Sequence, residues 1–237
     1  MLRPIGLKAG PATAHSGTLR WSRPPTGPLP DRYLIWRNGL PAGSAAGTAT
    51  SYQQAGLDPG VTYQYRLVAV RGGKRSPASA LLTLTTSTPP ISQARLQGLW
   101  NINARNVRAQ NIHTGYNGYH GSLTWTFRPV CRTGPCAVIL HGKIDGIHSI
   151  TMKLSRAGAV YQGRITDVAI PCGPGANSIS DPMTLRVRIR VTAAAAQDQV
   201  WAAISWAGTI AGTTQYLSAA TFYCPAGNFT AVLNSPD

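Results

Sequence analysis

Along most of the chain, apolar and polar residues alternate with a period of two. Residues 61–67 read VTYQYRL and residues 183–191 read MTLRVRIRV. Such alternation is typical of β-strands that have one face in a core and the other in solvent. No sustained apolar period of 3.6 residues is present, so the pattern predicts an all-β protein. The alanine run at 193–196, the best local helix former, is predicted to be a turn or a short helix between two strands.

A turn at 58–60 precedes the first of these strands. Pro59 fixes its own φ and Gly60 tolerates a positive φ, so the chain changes direction immediately before Tyr63. A tyrosine at such a corner can bury its ring while its hydroxyl reaches a backbone group a few residues upstream. We therefore predict a tyrosine corner at Tyr63.

Short strand patterns fill the first 88 residues. TLRWS, DRYLIWRNG and SALLTLTT bracket the alternating strand that follows the corner, and shorter patterns lie near residues 5–8 and 51–53. Asn-Gly at the end of DRYLIWRNG is a hairpin signal. About seven strands in this length indicate a two-sheet sandwich.

The order of aromatic and apolar residues in this segment resembles that of a fibronectin type III domain. The resemblance rests on Trp21 in the second strand, on Tyr33, on the run GLDPGVTYQYRLVAV at 56–70 and on the final LLTLTT at 81–86. It implies a β-sandwich over residues 1–88, with Trp21 and the corner tyrosine in its core. Because the family shares no catalytic activity, the resemblance also implies a spacer, adhesion or assembly module. The integrin-binding tripeptide RGD is absent.

Adjacent prolines follow this segment. Pro89 and Pro90 cannot join a strand ladder and favour extended polyproline geometry, so residues 89–92 are predicted to be a short, semi-rigid linker. Residues 93–237 then carry a series of strand patterns with mostly short connections. They predict an antiparallel meander, and closure into a lipocalin-like barrel would remove exposed edges. The patterns are LQGLWNINARNV, SLTWTFRPV, CAVILHGKI, SITMKLSRA, AVYQGRIT, MTLRVRIRV, QVWAAISWAGTI and SAATFYC.

This second segment has resemblances of its own. Its opening GLW resembles the GxW start of lipocalin-type barrels. The layout of its tryptophans, glycines and cysteines also resembles uncharacterised, disulfide-containing β domains of actinobacterial exported proteins and actinophage proteins. Neither resemblance implies a particular activity.

All four cysteines lie in the second segment, at Cys131, Cys136, Cys172 and Cys224. An even number among short strands favours two disulfides, with Cys131–Cys136 closing the CRTGPC loop and Cys172–Cys224 joining distant strands. Three connectivities are formally open. A four-thiolate zinc site is the alternative, but structural zinc favours close pairs and only one pair is close here. Disulfides would imply an oxidising compartment.

The charge is strongly basic. The chain has 22 Lys and Arg residues against seven acidic ones, and its net charge is +15. This predicts attraction to an anionic partner, with arginine used for solubility as the alternative. Arg186, Arg188 and Arg190 share one face of a strand at a spacing of about 6.5–7 Å. We predict that they bind an anionic polymer such as teichoic acid or nucleic acid; a solubilising strand face is the alternative.

Two further features could bind a partner. The Gly-rich segment NIHTGYNGYHG at 111–121 offers tyrosine and asparagine side chains that suit sugar or protein recognition, with a simple loop as the alternative. Trp201 and Trp206 lie five residues apart in one strand pattern and hence on opposite faces. One is expected in the core, and the other could be an exposed stacking platform. The candidate recognition residues of the loop are His113, Tyr116, Asn117, Tyr119 and His120.

The sequence lacks the parts of familiar enzymes. Paired-carboxylate catalysis needs two acids close together, but Asp145, Asp181 and Asp198 lie in turn-like contexts. There is no GxSxG elbow, the histidines show no HExxH spacing, and CGPGAN at 172–177 lacks the lysine of a phosphate loop. We predict a non-enzymatic protein without metal or cofactor. The alternative is a hydrolase whose cleft gathers Asp167, Asp181 or Asp198 with a histidine.

These observations predict a structural or adhesion protein that works outside the cell. The preferred interpretation is an exposed virion component of an actinobacteriophage, such as a minor tail, decoration or host-attachment protein. The alternative is a secreted or wall-associated actinobacterial protein that binds glycan or anionic wall polymer. The opening MLRPIGLKAG lacks the apolar region of a signal peptide, and no apolar run is long enough to span a membrane. The expected partners are other proteins of an assembly, a host cell surface, an anionic polymer or glycan, or further copies of the chain.

Overall fold

The computed structural model describes residues 2–23, 25–110, 121–144, 148–172, 179–218, 223–224 and 226–235. For residues 106–107, 170–172, 179–181, 217–218 and 223–224 the description covers the backbone alone. The chain divides into two compact units, residues 1–89 with 196–200 and residues 90–195 with 201–237. Among the described residues, no helix has the length and hydropathy needed to cross a membrane.

The first unit is a sandwich of two antiparallel sheets. Its strands are β1 (Ile5–Ala12), β2 (Ser16–Ser22), β3 (Arg32–Arg37), β4 (Leu40–Ala46), β5 (Ser51–Ala55), β6 (Thr62–Arg71), β7 (Lys74–Arg75) and β8 (Leu82–Thr85). One sheet has the order β1–β2–β5, and the other has the order β4–β3–β6–β7 with β8 also paired to β6. The alternating residues of β2, β3 and β6 bury one face of each strand. Trp21 and Tyr33 pack edge-to-face in this core, with 5.2 Å between their ring centroids.

Tyr63 begins the inward-facing series of β6, and its ring is buried. Its hydroxyl accepts a hydrogen bond from the backbone N–H of Asp58 at 2.8 Å and lies 3.4 Å from Oδ2 of the same residue. The hydroxyl of Thr86 donates to the Asp58 carbonyl at 2.7 Å, which ties the turn to the end of the unit. The predicted tyrosine corner is confirmed.

Replacing Tyr63 with phenylalanine tests how much this corner contributes. The variant keeps the ring in the core but leaves the Asp58 N–H without its acceptor, so we expect a loss of about 1–2 kcal/mol in the free energy of unfolding. Urea denaturation measures it. Tyr52→Phe is the matched control, because the Tyr52 hydroxyl makes only a 3.3 Å hydrogen bond to the Ala42 carbonyl. Equal losses in the two variants would contradict a special role for the corner.

The second unit is built around a closed barrel. Its strands are β9 (Gly98–Gln110), β10 (Gly121–Pro129), β11 (Val138–Lys143), β12 (Ser149–Ala157), β13 (Val160–Cys172), β14 (Ile179–Gln197), β15 (Val200–Thr214), β16 (Leu217–Ser218), β17 (Tyr223–Cys224) and β18 (Asn228–Asn234). The barrel order is β10–β11–β12–β13–β14–β15–β18–β9, so strands consecutive in sequence are mostly neighbours in space. The predicted antiparallel meander and its closure are confirmed.

The strand that completes the barrel differs from the prediction. In the described part of SAATFYC, β16 and β17 pair only with each other, and β18 instead joins β15 to β9. The prediction that SAATFYC is the last barrel strand is therefore wrong. The reason is visible in β18, where Phe229, Ala231 and Leu233 alternate inward and are buried in the barrel core.

The alanine run also differs from the prediction. Ala193–Ala196 belongs to β14 rather than to a turn or a short helix. Ala194 packs against the barrel core, so sheet pairing and burial override the helix propensity of alanine. The turn follows at Asp198 and Gln199, whose φ values of 46° and 65° match a two-residue hairpin turn.

Aromatic rings fill the interior of the barrel. Trp125 and Trp206 are stacked with 6.4 Å between their centroids, and Phe127 meets Trp206 edge-on at 5.9 Å. Trp100 packs against the same ring from β9 at 6.0 Å. An eight-stranded barrel has an interior about wide enough for side chains to fill, which this cluster does.

The segment that leads into β9 packs against the barrel core. Ala94 and Leu96 are buried, and the Tyr161 hydroxyl donates to the Ala94 carbonyl and accepts from the Leu96 N–H. Between them, the Arg95 guanidinium donates to the carbonyls of Cys131 and Arg132 at 2.6 and 2.7 Å. The disulfide Cys131–Cys136 closes the loop that presents these carbonyls.

Candidate anion-binding face of the barrel

The period of β14 separates its arginines from the barrel interior. Leu185, Val187 and Ile189 are buried in the core, whereas Arg186, Arg188 and Arg190 are exposed. The three guanidinium groups therefore project from the outer surface of the barrel, at alternate positions of one strand.

The neighbouring strands extend this surface. Arg164 of β13 pairs directly with Arg186, and Gln162 pairs with Arg188. Arg164 is exposed, as is Lys153 on the next strand, β12. We call the four residues Arg164, Arg186, Arg188 and Arg190 the basic strand face. A shallow depression of about 540 Å³ lies on it, lined by Arg164, Arg186 and Arg188 with Ser155, Gln162 and Thr209.

The charges of the basic strand face are not compensated by any described residue. In the described part of the chain, no carboxylate lies within ion-pair distance of any of its four guanidinium groups. Asp167 is in a bulge of β13 with a φ of 62° and an exposed side chain. Like charges directly opposite each other on two strands are destabilising. The pairing of Arg164 with Arg186 is thus a cost to the fold that a bound anion would relieve.

Sequence reasoning placed the arginines of β14 but missed Arg164. That residue lies in the predicted strand AVYQGRIT, two positions after Gln162, and a meander makes this strand the neighbour of β14. The alternation of residues in β13, combined with the pairing of consecutive strands in a meander, could have predicted that Arg164 lies beside the arginines of β14.

The other predicted sites are the segment at 113–120, the second cysteine pair and the two tryptophans of β15. The candidate recognition residues at 113–120 lie outside the described residues, as do the side chains of Cys172 and Cys224. Trp206 is the core tryptophan of β15, as one of the pair was expected to be. Trp201 is no free stacking platform, because it packs against the barrel core and its indole N–H lies 3.2 Å from the Pro90 carbonyl.

The described ranges contain no group of side chains that could form a metal centre. Within them, no three His, Cys, Asp or Glu side chains come close enough to share a metal ion. The His141 ring is hydrogen-bonded to the Thr151 hydroxyl across β11 and β12 at 2.9 Å. This hydrogen bond holds the His141 side chain on the outer surface of the barrel.

The family of the first unit follows from its strand order and its corner. Two sheets of order β1–β2–β5 and β4–β3–β6–β7 enclose the Trp21–Tyr33 pair, and the fibronectin type III family model matches residues 3–85. Residues 3–85 are a fibronectin type III domain. The resemblance noted in the sequence is therefore confirmed for this part of the chain.

One curated relative matches part of the chain. The poly(3-hydroxybutyrate) depolymerase of Ralstonia pickettii is 36% identical over 86 residues, which are 35% of this chain and 17% of the depolymerase. The chain thus spans less than a fifth of that protein's length.

Likenesses to solved structures are partial. The Yersinia enterocolitica family 28 exopolygalacturonase has 20% identity and a TM-score of 0.35, and the likeness covers 40% of this chain and 21% of the exopolygalacturonase chain. The rhamnogalacturonan lyase YesW has 14% identity and a TM-score of 0.28, and the likeness covers 89% of this chain and 39% of the lyase chain.

Proposed function

We propose that this is a non-enzymatic attachment protein that binds an anionic polymer through the basic strand face. The observation that supports this best is the direct pairing of Arg164 with Arg186, continued along β14 by Arg188 and Arg190, with no described acid beside them. Arginine grips phosphate and carboxylate through two parallel hydrogen bonds. Residues at alternate strand positions are about 6.5–7 Å apart along the backbone, which suits the repeating charges of a phosphodiester chain.

The proposal assigns no catalysis to the protein. Asp167 and Asp198 are the acids of residues 93–237 whose side chains the structure describes. Both have a positive φ, Asp167 in a bulge of β13 and Asp198 in the hairpin turn after β14. Short acidic side chains are favoured in such backbone positions for local reasons. The fibronectin type III domain would then serve as a spacer or a protein-interaction module.

We place this attachment function outside the cell, on the surface of an actinobacteriophage virion as a minor tail, decoration or host-attachment protein. The Cys131–Cys136 disulfide is compatible with an oxidising environment. A secreted, wall-associated actinobacterial protein is the alternative carrier of the same binding face. Mass spectrometry of purified virions and of culture supernatants distinguishes the two: peptides confined to the supernatant would overturn the virion assignment.

Co-sedimentation with purified actinobacterial cell walls tests the polymer-binding function. The native chain is compared with a variant in which Arg186, Arg188 and Arg190 are replaced by serine. The control variant replaces Arg105, Arg108 and Arg128, exposed arginines of β9 and β10, and so removes the same charge elsewhere on the barrel. We expect the native chain and the control to pellet and the β14 variant to remain in solution.

A salt series sharpens the comparison. If each of four arginines displaces one counterion, as on a nucleic acid backbone, raising salt from about 50 to 200 mM should weaken native binding about 50- to 150-fold. With one arginine left, the same change should weaken binding only about threefold. Failure of the native chain to pellet, or equal losses in the β14 variant and the control, would overturn the proposal.

A further inference from the structure

Trp36 occupies an unusual position in the fibronectin type III domain. In β3, Tyr33 and Ile35 are buried in the sandwich core, so Leu34 and Trp36 project from the opposite, outer face of the sheet. Trp36 is not among the residues that pack against the core, unlike Trp21, which is buried. Trp36 is partly buried on this outer face, and packing of the sandwich core does not account for a tryptophan there.

The surroundings of Trp36 form a groove of about 370 Å³ on the outer face of β3 and β6, lined by Trp36, Gln64, Arg66, Val68 and Leu81. We call it the Trp36 groove. Trp36 pairs in register with Arg66, which places the guanidinium-bearing residue directly beside the indole. Gly39, in the turn after β3, also lines the groove, and its φ of 83° disfavours a side chain there.

Three polar groups of the Trp36 groove make no hydrogen bond to the described part of the protein. Among the described residues, the indole N–H of Trp36, the guanidinium of Arg66 and the side-chain amide of Gln64 have no hydrogen-bond partner. The acids of this domain are Asp31 and Asp58, and neither lines the groove. The carboxylate of Asp31 accepts the Gly72 N–H at 2.8 Å, and Asp58 belongs to the tyrosine corner.

We propose that the Trp36 groove binds one acidic sugar residue of a glycan. The apolar face of a pyranose ring stacks on the Trp36 indole. The sugar carboxylate accepts two parallel hydrogen bonds from the Arg66 guanidinium, and a ring hydroxyl forms a hydrogen bond with the Gln64 amide. The volume lies within the range of small-molecule sites, which combine an aromatic wall with a few convergent polar groups. This site is independent of the basic strand face, because it uses other residues on another domain.

Charge argues against two other occupants of the Trp36 groove. A second copy of the chain carries the same net charge of +15 and would be repelled. An apolar peptide would desolvate the Arg66 guanidinium without replacing its hydrogen bonds, which is costly. An anionic sugar satisfies both the ring and the guanidinium.

Nuclear magnetic resonance titration of the full chain tests the proposal. The probes are a β-1,4-linked tetraglucuronate and cellotetraose, which share linkage and ring geometry and differ in the carboxylates. Both are titrated into the Arg186→Ser, Arg188→Ser, Arg190→Ser variant, which keeps only Arg164 of the basic strand face, and binding is read at the Trp36 indole. We expect the Trp36 indole N–H resonance to shift with tetraglucuronate, and cellotetraose to bind at least about tenfold more weakly.

Two variants report on the separate contacts. Arg66→Gln should lower the affinity for tetraglucuronate about tenfold or more and leave that for cellotetraose unchanged. Trp36→Ala should weaken both, while Trp36→Phe keeps part of the stacking. Equal affinity for the two sugars, no shift at the Trp36 indole, or an indole shift that depends on protein concentration without sugar would each overturn the proposal. The last result would indicate self-association instead. Because the test uses a chain without the β14 arginines, its failure says nothing about polymer binding by the barrel.

Discussion

Replacing Trp206 with alanine is expected to lower the free energy of unfolding of the barrel by about 3–5 kcal/mol. Trp206 is 1% exposed and contacts three other aromatic rings, those of Trp100, Trp125 and Phe127. The smaller side chain would leave a cavity where these rings meet, and a closed barrel has no free edge through which it can collapse. The indole N–H has no hydrogen-bond partner among the described residues, so the loss measures packing alone.

Hydrogen exchange read by mass spectrometry on the full chain is the measurement, because it separates peptides of the barrel from those of the sandwich. Barrel peptides should lose protection in Trp206→Ala while peptides of β2 and β6 keep theirs. Trp201→Ala is the control on the same strand, since Trp201 is only partly buried. If the two variants lose the same stability, the stacked cluster is not the centre of the barrel core.

The core of the barrel also determines where the basic strand face lies. Leu185, Val187 and Ile189 point inward, and this fixes the register that turns Arg186 and Arg188 outward. A shift of β14 by one residue would exchange the two sets and bury guanidinium groups. The hydrophobic packing of β14 therefore holds the arginines of the basic strand face in place.

The local features of the fold were accessible from the sequence because they depend on neighbouring residues. The corner at Tyr63 follows from Pro59 and Gly60 a few positions before it, and the outward placement of Arg186 follows from alternation within one strand. The closing strand β18 was missed because closure is a long-range event. Its position between β15 and β9 is set by residues more than a hundred positions apart in sequence.

The candidate sites show the same limit. Arg164 becomes part of the basic strand face only through its pairing with Arg186, and Trp36 becomes part of a groove only through its pairing with Arg66. Periodicity predicted the outward face of Arg186, Arg188 and Arg190, but it does not predict which residue of the next strand lies beside them. The alanine run at 193–196 illustrates the converse, since pairing with the sheet overrode its local preference.

Gly47 carries the second large prediction. It follows β4 and is buried, and its N–H donates to the Asp31 carbonyl at 3.0 Å. A Cβ built on it would lie 1.6 Å from the carbonyl oxygen of Pro30. That atom belongs to the backbone, so no rotation of a side chain relieves the overlap. We expect Gly47→Ala to force the segment before β3 away from the end of β4 and to cost about 3 kcal/mol or more.

Gly73→Ala is the matched control for Gly47→Ala, because Gly73 has a φ of 76° and open space around its Cβ position. It introduces the backbone strain of a left-handed alanine without a collision, at a cost of about 1–2 kcal/mol. Thermal unfolding measures the loss of stability, and hydrogen exchange locates it. In Gly47→Ala, the amides of β3 and β4 should lose protection from exchange while those of the barrel keep theirs. A loss in Gly47→Ala no larger than in Gly73→Ala would mean that the close approach of Pro30 and Gly47 does not hold this edge of the sandwich. In that case the Trp36 groove, which lies on the same sheet, would be held in shape by the pairing of β3 with β6 alone.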